Sequence, residues 1–178
     1  MSAPGPGQTG AAVRLPLDNG LPRIYEGRMP ALWRPETGRI SLIHAFFVIP
    51  FTVATFHDHI GTGRSYREKY PFGTFGLASH FTGRLDARLA QGDPVRINTQ
   101  LLGFDEKRLW FMHLLRAGDD PEPVATMEMV TINVHQIERR SAPWPDEIKA
   151  RLAAVWAVHE RCPRPPQAGR ALGRLDPD

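Results

Sequence analysis

The sequence is poor in cysteine, in lysine and in long uninterrupted apolar runs, and each scarcity excludes a class of protein. Its 178 residues contain one cysteine, Cys162, so no disulfide can form within the chain and a reducing, cytoplasmic compartment is expected. Residues 1–20 have neither the charged segment nor the apolar core of a signal peptide. Their glycine and proline content predicts a disordered lead-in.

The basic residues are almost all arginine, with lysine at only three positions. The 22 basic and 19 acidic residues leave a net charge of +3. They are interleaved and form no basic stripe, so a nucleic-acid partner is not expected. The hydrophobic share of 42% suits one globular domain. We place that domain at residues 21–160 and expect a flexible tail, rich in proline and arginine, at residues 161–178.

One apolar stretch of 17 residues, from 40 to 56, is the longest in the chain, and it includes His44 and Pro50. A membrane-spanning helix needs about 20 apolar residues, so no membrane partner is expected. The apolar positions cover every side of a helical wheel, which is typical of a helix surrounded by protein. The pattern predicts a central helix that begins after Ser41, bends near Pro50 and ends by Gly61.

The rest of the chain alternates with the period of β-strands. Residues 61–73 read as a polar loop, and an irregular strand is expected between residues 21 and 38. Four strands follow, at 75–85, 93–104, 108–116 and 123–137, in the pattern of an antiparallel meander. An amphipathic helix at 144–160 closes the domain. This order predicts an α+β fold in which a curved antiparallel sheet wraps one long buried helix, with a further helix at the C-terminus.

Several short motifs resemble a known family. "GDPVRINTQLLGFDEKRLW" begins at Gly92, "ATMEMVTINV" at Ala125 and "RSAPWPDEI" at Arg140. In this order they resemble the acyl-CoA thioesterases of the 4-hydroxybenzoyl-CoA thioesterase-like, hot-dog superfamily, over roughly residues 23–160. The resemblance implies a hot-dog fold, a homodimer or tetramer, and an acyl thioester substrate on CoA or a carrier protein. No cofactor is implied, since CoA or phosphopantetheine is part of the substrate.

The chain departs from that family where its aspartate is usually found. The motif Asp-x-Asn-Gly-His-Met should precede the central helix, but Pro35, Thr37 and Arg39 occupy the Asp, Asn and His positions, and only Gly38 matches. Glu36 is a carboxylate one residue out of register, and we consider it as a replacement for the missing acid.

The candidate catalytic residues are His44, Glu36, Glu128 and His80. His44 is expected on the first turn of the central helix, where free N–H groups can polarise a thioester carbonyl. A carboxylate at Glu128, among apolar strand neighbours, suggests an acid or base; the alternatives are an exposed face or an ion pair with a partner's arginine. His80 shares its predicted face with the small residues Gly76, Ala78 and Thr82, which leave room for a ligand or for the central helix.

The remaining site predictions concern phosphates and metals. Candidate contacts to the CoA phosphates are Arg84, Arg88, Arg139 and Arg140, each of which could equally be a surface arginine. His57 and His59 are two residues apart and cannot share a helical face, so no metal site is predicted. Asp58 and these two histidines are expected to cap the helix end. The leading function is acyl thioester hydrolysis. The alternatives are a hot-dog lyase, hydratase, isomerase or cyclase that uses His/Glu acid–base chemistry, and a non-catalytic binding module.

Overall fold

The computed structural model describes residues 14–29, 52–83, 89 and 92–172. Seven antiparallel strands form one sheet: β1 Leu17–Asp18, β2 Leu21–Arg28, β3 Phe72–Gly83, β4 Pro94–Phe104, β5 Arg108–Ala117, β6 Ala125–His135 and β7 Arg140–Ser141. Three helices accompany them: α1, described over residues 52–60, α2 Arg64–Lys69 and α3 Asp146–His159. The strand order is β1-β2-β4-β5-β6-β3, with β7 beside β6, which confirms the predicted α+β antiparallel architecture.

The sheet buries both of its faces over its central strands. On β5, Phe111 and Leu115 belong to the core that contains Phe56 and Ile60 of α1, and we call this side the inner face. The alternate residues of β5 form a second core on the outer face, with Trp110 completely buried. Successive side chains of a strand point to opposite faces, so a strand covered on both sides must be apolar at nearly every position.

Helix α1 ends where the sequence predicts. Gly61 follows it with φ of +84°, in the left-handed region that favours glycine at the end of a helix. The predicted start at Ser41 and the bend at Pro50 lie outside the described residues. Helix α3 buries Ile148 and Leu152 in the inner core, as its predicted apolar stripe requires.

The prediction of a polar loop over residues 61–73 is wrong in part, because this segment contains α2. Five of the six residues in this helix are polar or charged, so no apolar periodicity indicates a helix here. One buried aromatic anchors it: the Tyr66 hydroxyl donates to Asn133 Oδ1 at 2.9 Å. The helix therefore depends on tertiary contact with β6 rather than on its own pattern.

A β-bulge in β3 overturns the predicted face assignment of that strand. The pairing register with β6 shifts between Gly76 and Ala78, so Gly76 lies opposite Thr131 and Ala78 opposite Val130. One extra residue moves every later side chain to the other face. Gly76 therefore belongs to the inner face, whereas Ala78 and His80 belong to the outer face.

Both ends of the predicted domain extend further than the composition indicates. Strand β1 pairs with β2 inside the predicted lead-in. Residues 161–172, which we call the C-terminal strap, lie across the outer face instead of forming a flexible tail. Arg164 Nη2 donates to the Leu102 carbonyl at 2.8 Å, and the guanidinium lies 4.9 Å from the Trp110 ring. The strap thereby covers the second core, which lies on the outer face over the central strands.

Candidate active site

A cleft opens between the helices and the edge of the sheet on its inner face. Its volume is about 320 Å³. We call it the α1–β3 cleft, since α1 and the edge strand β3 form two of its walls and α2 and β6 complete it. The described residues that line it are Val53, Ala54, His57, Asp58, Gly63, Arg64, Arg67, Thr74, Gly76, Met129 and Thr131.

His57 is the histidine in this cleft, and its ring is held in a defined orientation. Its Nδ1 lies 2.7 Å from Thr62 Oγ1, and the ring meets Phe111 edge-on with centroids 5.7 Å apart. The side chain is buried, and this burial, with a smaller contribution from the Arg67 charge, lowers the pKa of His57 to about 4. The imidazole is therefore neutral at pH 7 and can accept a proton.

Thr131 brings a second polar group to the cleft. Thr131 is 3% exposed, and its hydroxyl oxygen has no hydrogen-bond partner among the described residues. Buried polar atoms are nearly always paired, so an unpaired one requires an explanation. Because Thr131 lines the cleft, a polar atom of a bound ligand or a water molecule can supply the missing partner.

The mouth of the cleft carries charges of both signs. Asp58 Oδ1 accepts a hydrogen bond from the Arg64 backbone N–H at 2.8 Å, and Arg64 pairs with Glu68 at 2.9 Å. Gly63 lets the two helices approach, since a Cβ there would lie 2.7 Å from the Asp58 nitrogen. Asp58 therefore caps α2, which corrects the expectation that it caps the helix before it.

A second buried histidine lies deeper in the inner face. His113 Nδ1 is 2.6 Å from Thr99 Oγ1, and its Nε2 has no hydrogen-bond partner among the described residues. Burial, with a smaller effect of nearby His57, lowers the pKa of His113 to about 3. The prediction from sequence missed this residue, although a histidine at a core position of an alternating strand was the available signal.

The structure places the predicted strand residues away from the cleft. Glu128 is fully buried on the outer face, where Oε1 accepts hydrogen bonds from Trp110 Nε1 at 2.7 Å and from the Gly169 N–H at 2.8 Å. His80 lies directly opposite Glu128 on β3 and so shares that face. The structure brings these two residues together, but on the far side of the sheet from His57.

The other predicted site residues do not line the cleft either, where they are described. Arg139 has φ of +52° and lines a shallow surface depression with Phe75. Arg140 forms an ion pair with Glu138. The remaining four, Glu36, His44, Arg84 and Arg88, lie outside the described residues.

The described part of the chain carries neither a cluster of metal-binding side chains nor a membrane-spanning helix. It contains no group of three or more His, Cys, Asp or Glu side chains placed to hold a metal ion. None of its helices is both long and apolar enough to cross a membrane.

Known proteins match this chain in both sequence and fold. The model of the thioesterase-like superfamily matches residues 41–152. A betainyl-CoA thioesterase of Pseudomonas aeruginosa is 32% identical over 151 residues, which cover 84% of this chain and 92% of the relative. An L-carnitine dehydrogenase/betainyl-CoA thioesterase of Rhizobium meliloti is 27% identical over 94% of this chain, which spans only 33% of that longer protein.

Solved structures extend the likeness of fold. A Staphylococcus aureus protein in complex with CoA has a TM-score of 0.71 at 20% identity and covers 84% of this chain and 93% of its own. A 1,4-dihydroxy-2-naphthoyl-CoA thioesterase of Synechocystis has a TM-score of 0.59 at 11% identity, covering 78% of this chain and 97% of its own. These likenesses confirm the predicted hot-dog fold. The chain therefore belongs to the thioesterase-like superfamily, as an enzyme that hydrolyses acyl-CoA thioesters.

Proposed function

We propose that the chain hydrolyses betainyl-CoA or a similarly short acyl-CoA, and that the reaction takes place in the α1–β3 cleft. One observation carries the location: the same cavity contains the buried, neutral imidazole of His57 and the hydroxyl of Thr131, which has no hydrogen-bond partner in the described part of the chain. The acyl group is suggested by the Pseudomonas aeruginosa relative, which matches over nearly its full length.

The dimensions of the cleft favour a short acyl group. Its volume of about 320 Å³ is near the lower end of the range of about 300–1,000 Å³ usual for ligand pockets. We propose that the acyl group and the thioester enter, while the nucleotide of CoA stays outside, near Arg64 and Arg67 at the mouth. Asp58, the carboxylate among the described lining residues, would attract a cationic acyl group such as betainyl.

The reaction balances with water as its co-substrate. The oxygen of water forms a bond to the thioester carbonyl carbon, the carbon–sulfur bond breaks, and the products are a carboxylate, CoA thiol and one proton. No electrons are transferred, so the reaction needs no redox cofactor, and we propose that CoA enters only as part of the substrate.

A panel of thioesters tests this function. Release of free thiol is measured with betainyl-, acetyl-, butyryl- and palmitoyl-CoA, and with one acyl-carrier protein. We expect the highest kcat/KM for betainyl-CoA or another short acyl-CoA. Absence of thiol release from every substrate would contradict hydrolysis. Mass spectrometry of the same reactions would then show whether the acyl group has changed while its thioester stays intact, which is the outcome of lyase, hydratase or isomerase chemistry.

We also propose that the chain acts as a homodimer paired through β3. This strand is the edge of the sheet, and Phe75 and Leu77 on it are 53% and 55% exposed. A long edge strand with exposed apolar side chains is a ready site for pairing with another chain. Light scattering at micromolar concentration should give at least twice the chain mass, and Leu77→Lys should lower it. A monomer at the same concentration contradicts the proposal.

A further inference from the structure

We propose that His57 is the general base of thioester hydrolysis and that Thr62 is the positioning residue that sets its tautomer and orientation. This inference rests on the proposed location of the reaction in the α1–β3 cleft. It gives the missing aspartate of the family motif a replacement on a different element, at the C-terminal end of α1 rather than before its start.

The turn after α1 holds the two residues together through two separate contacts. The Thr62 backbone N–H donates to the His57 carbonyl at 2.8 Å, and the Thr62 hydroxyl lies 2.7 Å from His57 Nδ1. Gly61, with its positive φ, permits the chain to fold back in this way. Thr62 is fully buried, so water does not compete for its hydroxyl.

Aromatic packing fixes the plane of the imidazole. Phe111 and Phe56 both meet the ring near their edges, at centroid distances of 5.7 and 6.3 Å and angles of 88° and 61°. A side chain locked by packing and by a hydrogen bond loses little freedom when a substrate binds. When Nδ1–H donates to Thr62 Oγ1, Nε2 keeps its lone pair for a water molecule.

In the proposed step, His57 takes up one proton and later returns one. Nε2 takes a proton from water as the oxygen attacks the carbonyl carbon, and the resulting imidazolium returns a proton to the departing CoA sulfur. The Thr131 hydroxyl, which has no partner among the described residues, can donate to the carbonyl oxygen as negative charge develops there. The carboxylic acid formed then loses its proton to solvent.

The charges around His57 predict its behaviour with pH. The charged or titratable groups around it are Asp58 on α1, Arg64 and Arg67 on α2, and His113 on β5. The cleft residues of β3 and β6 are threonine, glycine and methionine and do not titrate. With the pKa of His57 at about 4, the base is unprotonated from about pH 5 upward. The acid limb of kcat/KM should therefore lie near pH 4 instead of near 6.5.

The experiment compares His57→Gln, Thr62→Val and Thr62→Ser with the wild-type protein on its best acyl-CoA. We expect His57→Gln to lower kcat by at least about 100-fold, the usual contribution of a general base. Thr62→Val should lower kcat about 10-fold, with Thr62→Ser restoring it, because serine keeps the hydroxyl. His159→Gln is the matched control: this histidine is also buried with a lowered pKa of about 4, but it lies outside the cleft and should keep kcat.

The outcomes separate this inference from the proposed function. Wild-type kcat in folded His57→Gln, judged by circular dichroism, overturns the assignment of the base, whereas absence of wild-type hydrolysis overturns the function itself. If His57→Gln does not fold, the pH profile decides. Arg67→Gln removes a positive charge near the imidazole, so the acid limb should move to higher pH, and an unmoved limb overturns the inference.

Discussion

Replacing Glu128 by alanine should destabilise the protein by about 2–4 kcal/mol without abolishing hydrolysis. The carboxylate is fully buried, and its Oε1 accepts hydrogen bonds from Trp110 Nε1 and from the Gly169 N–H. Alanine leaves both donors unpaired, and a buried unpaired donor costs about 1–3 kcal/mol. Two such donors together cost about 2–6 kcal/mol. Gly169 lies in the strap, which is only partly buried, so its N–H can regain a hydrogen bond to water. The expected cost therefore falls in the lower part of that range.

Glutamine at position 128 is the matched control. Its amide oxygen can accept both hydrogen bonds in place of Oε1, so both donors stay paired. We therefore expect Glu128→Gln to be clearly less destabilising than Glu128→Ala, since alanine leaves the donors without an acceptor. Urea unfolding followed by circular dichroism measures both variants, and a protein of this length loses about 2–4 °C of melting temperature per kcal/mol.

Two results would refute this reasoning. Wild-type stability of Glu128→Ala would show that the two hydrogen bonds to Oε1 do not stabilise the fold. Loss of kcat in a stable Glu128→Gln protein would show that the carboxylate takes part in catalysis, as the sequence pattern predicts, despite its place on the face opposite the cleft.

Three further predictions concern stability. Burial lowers the pKa of three histidines, His57, His113 and His159. As the pH drops from 6.5 to about 4, the unfolded chain binds protons at these residues that the folded chain does not. The free energy of unfolding should therefore fall by up to about 1.4 kcal/mol per pH unit for each histidine. In urea titrations at several pH values, His159→Gln should lessen this slope, and an unchanged slope would contradict the assignment. The hydrogen bond from Arg23 lowers the pKa of Asp18 to about 2, so this pair stabilises the fold above about pH 4 and the benefit is lost as pH falls through 2. Asp18→Asn should remove it, at a cost of about 1 kcal/mol or less at pH 7, since solvent screens a pair this near the surface. Gly61→Ala places a side chain at φ of +84° and should cost about 1–2 kcal/mol in thermal unfolding, whereas an unchanged melting temperature would show that the turn relaxes.

Two strands could be predicted closely because each is a run of strand length bounded by turn residues. Residues 93–104 and 108–116 were expected as strands, and β4 and β5 occupy Pro94–Phe104 and Arg108–Ala117. The bulge in β3 escaped prediction because one inserted residue leaves composition unchanged and only reverses the faces that follow it. Helix α2 escaped because its polar residues give no apolar period, and its buried residue, Tyr66, meets β6 only in the folded chain.

The candidate site was harder to predict because it depends on how distant segments meet. His57 was expected to cap a helix end, and nothing local indicates that the chain folds back to bring Thr62 onto its ring. Glu128 was correctly singled out as a carboxylate in an apolar strand. Its surroundings come from the strap at Gly169, 41 residues further along the chain, which composition alone presents as a loose tail.

The two faces of the sheet hold their buried polar groups in opposite ways, and this difference supports placing the chemistry on the inner face. On the outer face, Trp110 and the strap each donate a hydrogen bond to Glu128 Oε1, and the side chain is fully buried there. On the inner face, burial keeps His57 and His113 neutral. Among the described residues that line the cleft, the charged side chains are those of Asp58, Arg64 and Arg67 at its mouth. A thioester is itself neutral and develops charge only as it reacts. A cleft wall that is uncharged before the reaction, yet can take up one proton at His57, stabilises that developing charge without binding the ground state more tightly.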